Sequence, residues 1–284
     1  YCLILPSFVL AVVFLYYPAL LGLYSAFTLW EEGHPQKFSG LANLKEMVSE
    51  PILRSSLINQ VILTVASVFK ATIVPFLVAE LIVALKNRAS QYAIRTLFLI
   101  PMVFPVMVTI LIWQFVYDPE MGVLNNLLES LGAEDLRQAW LGDSDYVIGS
   151  IIGIGFPWVG ALGLLIYLAG LMNRPQSLVD SALIDCRTPF ERIWHVDIPL
   201  VRGQTRLLII LTVIGSLQDF QSILVLTRGG PGSSSMVPAL WMYFAAFEFG
   251  RFGYGAAIGF TLFITILALT LINLRFLKKT EVQS

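Results

Sequence analysis

Residues 175–199 read PQSLVDSALIDCRTPFERIWHVDIP, a charged and amphipathic stretch lodged between two long apolar runs. Pro175 is placed to open one short helix. Thr188-Pro189-Phe190-Glu191 opens a second: threonine suits the N-cap, proline the first helical position, and glutamate three residues after the cap completes a capping box. Leu178, Ala182, Phe190, Ile193 and Trp194 give the pair an apolar side, and Pro199 is expected to stop the second helix before the next apolar run. A polar hairpin over about residues 173–203 of an otherwise hydrophobic chain implies a contact made in water.

The rest of the sequence belongs in a bilayer. Apolar residues fill 57% of the 284 positions, charged residues only 13%, and the mean hydropathy of +0.77 is too high for a soluble globular domain. Six runs reach the ~20 residues that a helix needs to cross the hydrocarbon core: about 3–27, 57–85, 93–116, 147–171, 207–226 and 253–277. The expected fold is therefore an all-α polytopic membrane protein, a single transmembrane domain over residues 1–284 with six helices and the hairpin between the fourth and fifth. The chain starts at Tyr1 rather than methionine, so further N-terminal sequence is expected. The first run is also longer than the apolar core of a signal peptide.

Basic residues set the orientation. With the hairpin on the cytoplasmic side, 11 lysines and arginines lie in inner segments (Lys86, Arg88 and Arg95 among them) against 6 in outer ones, which puts both termini inside. Acidic residues crowd one outer segment between Asp118 and Asp145. A net charge of -1 gives no reason to expect nucleic-acid binding.

Catalytic and metal chemistry find little material. The two cysteines, Cys2 and Cys186, both fall on the reducing side in this topology and are too few for a metal framework, and only His34 and His195 are present. HExxH, Cys-x-x-Cys and Gly-x-Ser-x-Gly motifs are absent, and no lysine follows a glycine, so the chain has no phosphate loop with which to bind ATP. The chain is expected not to be an enzyme in its own right.

The hairpin resembles a known family. Asp180-Ser181-Ala182, then Asp185-Cys186, Phe190, Ile193 and Ile198-Pro199 are similar to the Glu-Ala-Ala loop of bacterial ATP-binding-cassette importer permeases. Leu226-Thr227-Arg228-Gly229-Gly230-Pro231 resembles the signature of the carbohydrate branch. Residues 243–247 and 252–257 match its usual sequel, and Leu99-Ile100-Pro101 adds a fourth block in order. The chain thus resembles, over essentially its whole length, the permease subunits that include the maltose and glycerol-3-phosphate importers. It departs from that pattern at Asp180 for glutamate, Ser181 for alanine and Cys186 for glycine. A left-handed backbone at Cys186 would cost roughly 1–2 kcal/mol.

The resemblance implies a type I importer permease, one half of a pore built with a second and different permease subunit. It also implies two ATP-binding subunits that hold ATP and Mg, an extracytoplasmic solute-binding protein, a sugar as ligand, and a place in the bacterial plasma (inner) membrane. Asp180, Ser181, Ala182, Asp185, Cys186 and Phe190 would form the loop that couples to the ATPase. Sugar contacts would fall at Thr212, Ser216, Asp219 and Gln221, near Gly155 and Trp158, and near Met102 and Val106, which are apolar here. The residues themselves make the fifth run the densest in polar groups, with Thr212, Ser216 and Asp219 at helical spacing. Alternatives stand beside each: Thr212 and Ser216 bond their own helix backbone or a neighbouring helix, Asp219 pairs with the partner subunit, and Trp158 faces lipid. Asp219 favours a hydroxyl-rich or partly cationic ligand over a strongly anionic one.

Other features read as architecture. Pro101 and Pro105 kink the third run, and Lys70 and Glu80 serve as buried pairing or snorkelling groups. Gly255 and Gly259 allow a close helix approach. Gly229 to Gly232 make a turn that Ser233–Ser235 extend as a flexible outer loop. A secondary transporter or channel for a small polar solute is the alternative function; it would need an internal inverted repeat, and none is evident.

Overall fold

The structure, a computed structural model, describes residues 4–278. Helices dominate: α1 (Leu5–Ser25), α2 (Ala42–Ser49), α3 (Pro51–Ala84), α4 (Arg88–Leu99), α5 (Val106–Val116), α6 (Val123–Ser130), α7 (Val147–Gly153), α8 (Ala161–Met172), α9 (Gln176–Asp185), α10 (Pro189–Leu200), α11 (Arg202–Gln218), α12 (Gln221–Leu226), α13 (Pro238–Tyr243) and α14 (Phe252–Lys278). One small departure from an all-α chain is an antiparallel pair of two-residue strands, β1 (Thr28–Leu29) and β2 (Lys37–Phe38), in register Thr28 to Phe38.

Three helices, α1, α3 and α14, are each long and apolar enough to cross a membrane. One of the expected runs, 93–116, is instead a bent pair. Helix α4 continues through a 3₁₀ turn at Ile100–Val103 and meets α5 at 93°, because Pro101 and Pro105 each remove a backbone donor. Helix α10 meets α11 at 66°. The run 147–171 is not one helix: α7 stops at Gly153, the chain turns through Gly155 and the cis Phe156–Pro157 bond, and α8 starts only at Ala161. The run 207–226 likewise breaks after Gln218.

Contacts divide the chain into two compact units, one from residues up to Val61 with Leu217–Leu269, the other from Ile62–Ser216 with the chain beyond Thr270. In the first, Leu53, Ala245, Tyr254 and Ile258 form the buried core. The close approach expected at Gly255 and Gly259 is present: a Cβ at Gly255 would lie 2.8 Å from Ala246 Cβ, and one at Gly259 3.1 Å from Met242 Sδ. Ser233–Ser235 do not extend the turn as a free loop. Ser235 is fully buried and its hydroxyl donates to the Gly230 carbonyl at 2.6 Å, which staples the turn shut.

The second unit packs α3, α8 and α11 through Phe76, Ala79, Ile82, Leu164, Tyr167, Leu168, Leu171, Val201 and Leu208. Gly163 lets α8 meet α3 closely, since its Cβ would sit 3.0 Å from the Ala71 carbonyl and 3.2 Å from Pro75. Pro75, inside α3, leaves a carbonyl without its helical donor. Its ring lies against that glycine.

Candidate functional site: the hairpin and its footing

The hairpin forms as two short helices. Helix α9 follows Pro175, and α10 starts at Pro189 with Thr188 as N-cap, its hydroxyl accepting from Glu191 N at 3.2 Å. The capping box closes differently from expectation, because the Glu191 carboxylate accepts from Arg187 N at 2.7 Å, one residue before the cap. Pro199 does not end α10. The helix runs on to Leu200 and breaks at Val201, and the turn ahead of the proline widens into a π turn at Ile193–Asp197.

That π turn creates a feature which the sequence does not announce. Arg192 and Asp197 are five residues apart, a spacing that faces across a π turn but not along an α-helix. Asp197 has no exposed surface and takes two guanidinium groups: Arg174 Nη1 donates to Oδ1 at 2.7 Å and Arg192 Nε to Oδ2 at 3.0 Å. Arg192 Nη2 also donates to Glu80 Oε2 at 3.2 Å, near the end of α3. Two basic and two acidic groups so tie both ends of the hairpin to one long helix, and Glu80 is the pairing group expected of it. Asp197 and Arg174 were not among the expected site residues; the only sequence signal for them is the charge flanking an apolar hairpin.

The tip stands clear of this footing. Phe190 is 71% exposed and Trp194 60% exposed, with their rings stacked at 6.4 Å. Ser181 and Asp185 are exposed, Ala182 is buried, and Cys186 is half-buried in an extended conformation at φ -95. Cysteine therefore carries no left-handed strain there. Asp180 lies in α9, with a side chain outside the described residues, as Cys2 is altogether.

The expected sugar contacts divide between the two units. Thr212 and Ser216 lie one turn apart on α11, both half-buried, and Ser216 Oγ lies 2.9 Å from Thr64 Oγ1, a helix-to-helix bond. Asp219 falls beyond the end of α11, so the helical-face argument does not reach it; exposed, it accepts from Ser222 N at 3.1 Å ahead of α12. Gln221 is exposed in the first turn of α12. Gly155 and Trp158 occupy the break between α7 and α8 with positive φ of 79 and 60, and the Trp158 indole donates to the Gly153 carbonyl at 3.3 Å. Met102 and Val106 are exposed. Lys70 Nζ donates to the Ile152 carbonyl at 3.0 Å, near the C-terminal end of α7.

Among known proteins, a probable ABC transporter permease of Bacillus subtilis (strain 168), YurN, is 30% identical over 281 residues, covering 98% of this chain and 95% of the relative. The trehalose/maltose transport system permease protein MalF of Thermococcus litoralis is also 30% identical, with 97% of this chain and 92% of that protein covered. The crystal structure of a bacterial ABC transporter that imports the acidic polysaccharide alginate contains a chain of the same fold, with a TM-score of 0.85 at 20% identity over 99% of this chain and 95% of that one. Residues 71–281, which include the whole hairpin, match the model of the binding-protein-dependent transport system inner membrane components, and the chain belongs to that family of ABC transporter permeases.

Proposed function

We propose that this chain is one half of the pore of an ATP-driven sugar importer, and that the hairpin is where a separate ATPase pushes on it. The carrying observation is the pairing of an exposed aromatic tip, Phe190 and Trp194, with a buried ionic footing at Asp197. Two exposed stacked rings at the end of a polar hairpin suit a groove in a protein partner. The footing hands any displacement of the tip to α3 through Arg192 and Glu80, as a switching transition between inward- and outward-facing states requires.

On this reading the chain pairs with a second, different permease subunit. Two ATP-binding subunits hold ATP and Mg and perform the hydrolysis, while an extracytoplasmic solute-binding protein delivers the sugar. Both termini and the hairpin face the cytoplasm, as the 11 to 6 division of basic residues favours. The name of the Thermococcus relative supports the sugar class. Thr212, Ser216, Asp219 and Gln221, with Gly155 and Trp158, are the proposed ligand contacts. A secondary transporter or channel would have no use for the bare aromatic tip.

The test is Phe190→Asp, which places a charge on the proposed docking face without touching the footing. The ATPase should be lost on co-purification, and substrate-stimulated hydrolysis should fall at least about ten-fold, as the removal of an aromatic anchor does at other interfaces. A complex that retains its ATPase and full stimulation would remove the assignment.

A further inference from the structure

A cavity of 770 Å³ opens beside the hairpin, where the last turn of α3, the first turns of α4 and the end of α8 meet. Its charged lining is basic throughout: Lys86, Arg88, Arg95 and Arg174. Arg174 is held by Asp197, whereas Lys86, Arg88 and Arg95 pair with no carboxylate among the described residues. Arg95 instead lies over the Tyr92 ring at 5.8 Å. The rest of the lining is mostly apolar, with Ile82, Val83, Leu168, Leu171 and Met172 beside Gln91 and Tyr92.

We infer that this cavity binds the headgroup of an anionic phospholipid, with the phosphate among the basic residues and the first acyl carbons along the apolar lining. Each half of the lining answers one half of that ligand. Three cations with no carboxylate partner among the described residues attract an anion into one concavity, and a cluster of this kind at the cytoplasmic end of membrane helices suits a negatively charged lipid of the inner leaflet. A small soluble anion would leave the apolar lining bare. Because Arg174 borders the cavity and also holds Asp197, a lipid phosphate there would sit directly against the footing of the hairpin. The inference rests on the proposed orientation, which places this end of the helices at the inner leaflet.

The assembled complex, purified in mild detergent and offered equal phosphatidylglycerol and phosphatidylcholine, would report the site by native mass spectrometry. The wild type should retain phosphatidylglycerol selectively. The Lys86→Gln/Arg88→Gln/Arg95→Gln variant should lose about five-fold in retention for each charge removed, and Arg88→Gln alone, at an exposed position, should show a single step. Equal retention of the two lipids, or wild-type retention by the triple variant, would overturn the site. Displacement by millimolar glycerol phosphate would mark a soluble-anion site, and loss of the ATPase from the variant complex would mark a protein-docking surface; either outcome also overturns the lipid reading. These readouts do not depend on orientation, and impermeant labelling of Cys186 reports that separately.

Discussion

Asp197 is the residue on which the hairpin turns. A carboxylate with no exposed surface persists only when paired and hydrogen-bonded, and Arg174 and Arg192 supply both conditions. Asp197→Ala would leave two partly buried guanidinium groups facing each other, a change that costs about 3–5 kcal/mol when one partner of a buried pair is removed. The loss is local to the hairpin, so tryptic cleavage after the exposed Arg187 in inside-out vesicles should accelerate markedly while the permease stays inserted. Unchanged cleavage would show that apolar packing alone holds the hairpin. Asp219 calls for a different pair of variants, because it caps α12 as well as being a proposed sugar contact. Asp219→Ala should weaken apparent sugar affinity about five- to hundred-fold, the equivalent of ~1–3 kcal/mol. Both variants should still assemble; Asp219→Asn keeps an oxygen for the cap and should not recover full affinity. Wild-type transport affinity in Asp219→Asn would leave the residue with capping as its only role.

The elements divide into those that apolar runs define and those that proline and glycine rewrite. The long helices α1 and α14 follow the apolar runs to within two residues and α3 starts six residues before its run, since a run of apolar side chains in lipid has almost no alternative to an α-helix. The other runs contain Pro101 and Pro105, Gly153 to Pro157, or the Asp219-Phe220 break, and there composition says that a span is present without saying that it is one helix. Two of the π turns show why. Val12–Tyr16 ends two residues before Pro18, and Ile193–Asp197 ends two residues before Pro199. In both places the helix widens and continues where a missing backbone donor suggests a stop. The two short helices of the hairpin were legible because capping residues act locally. Their ionic footing was not, because Arg192 and Asp197 meet only once the π turn has formed, and Glu80 accepts from Arg192 from 112 residues away.

At the scale of the whole chain, the asymmetry of basic residues is the quantity that orients the molecule. Asp135→Cys, in a chain whose two native cysteines are replaced by serine, should be modified by a membrane-impermeant maleimide in intact cells. Cys186, retained alone after Cys2→Ser, should be modified only once the membrane is opened. Asp135 is exposed and Cys186 half-exposed, so access to the protein does not mask the side on which each lies. The reverse pattern would invert the orientation and remove the cytoplasmic docking of the hairpin. One consequence reaches past this protein's own transport cycle. The stretch 180–186 carries aspartate, serine and cysteine where the loop motif it resembles has glutamate, alanine and glycine, and the extended backbone at Cys186 needs no glycine, while the anchoring charges sit outside that stretch at positions 174, 192 and 197. Recognition and support are thus written in separate letters. On the proposed function, residues 180–190, Phe190 included, could be exchanged for those of another permease with the anchoring charges intact, and the pore would then answer to a different motor.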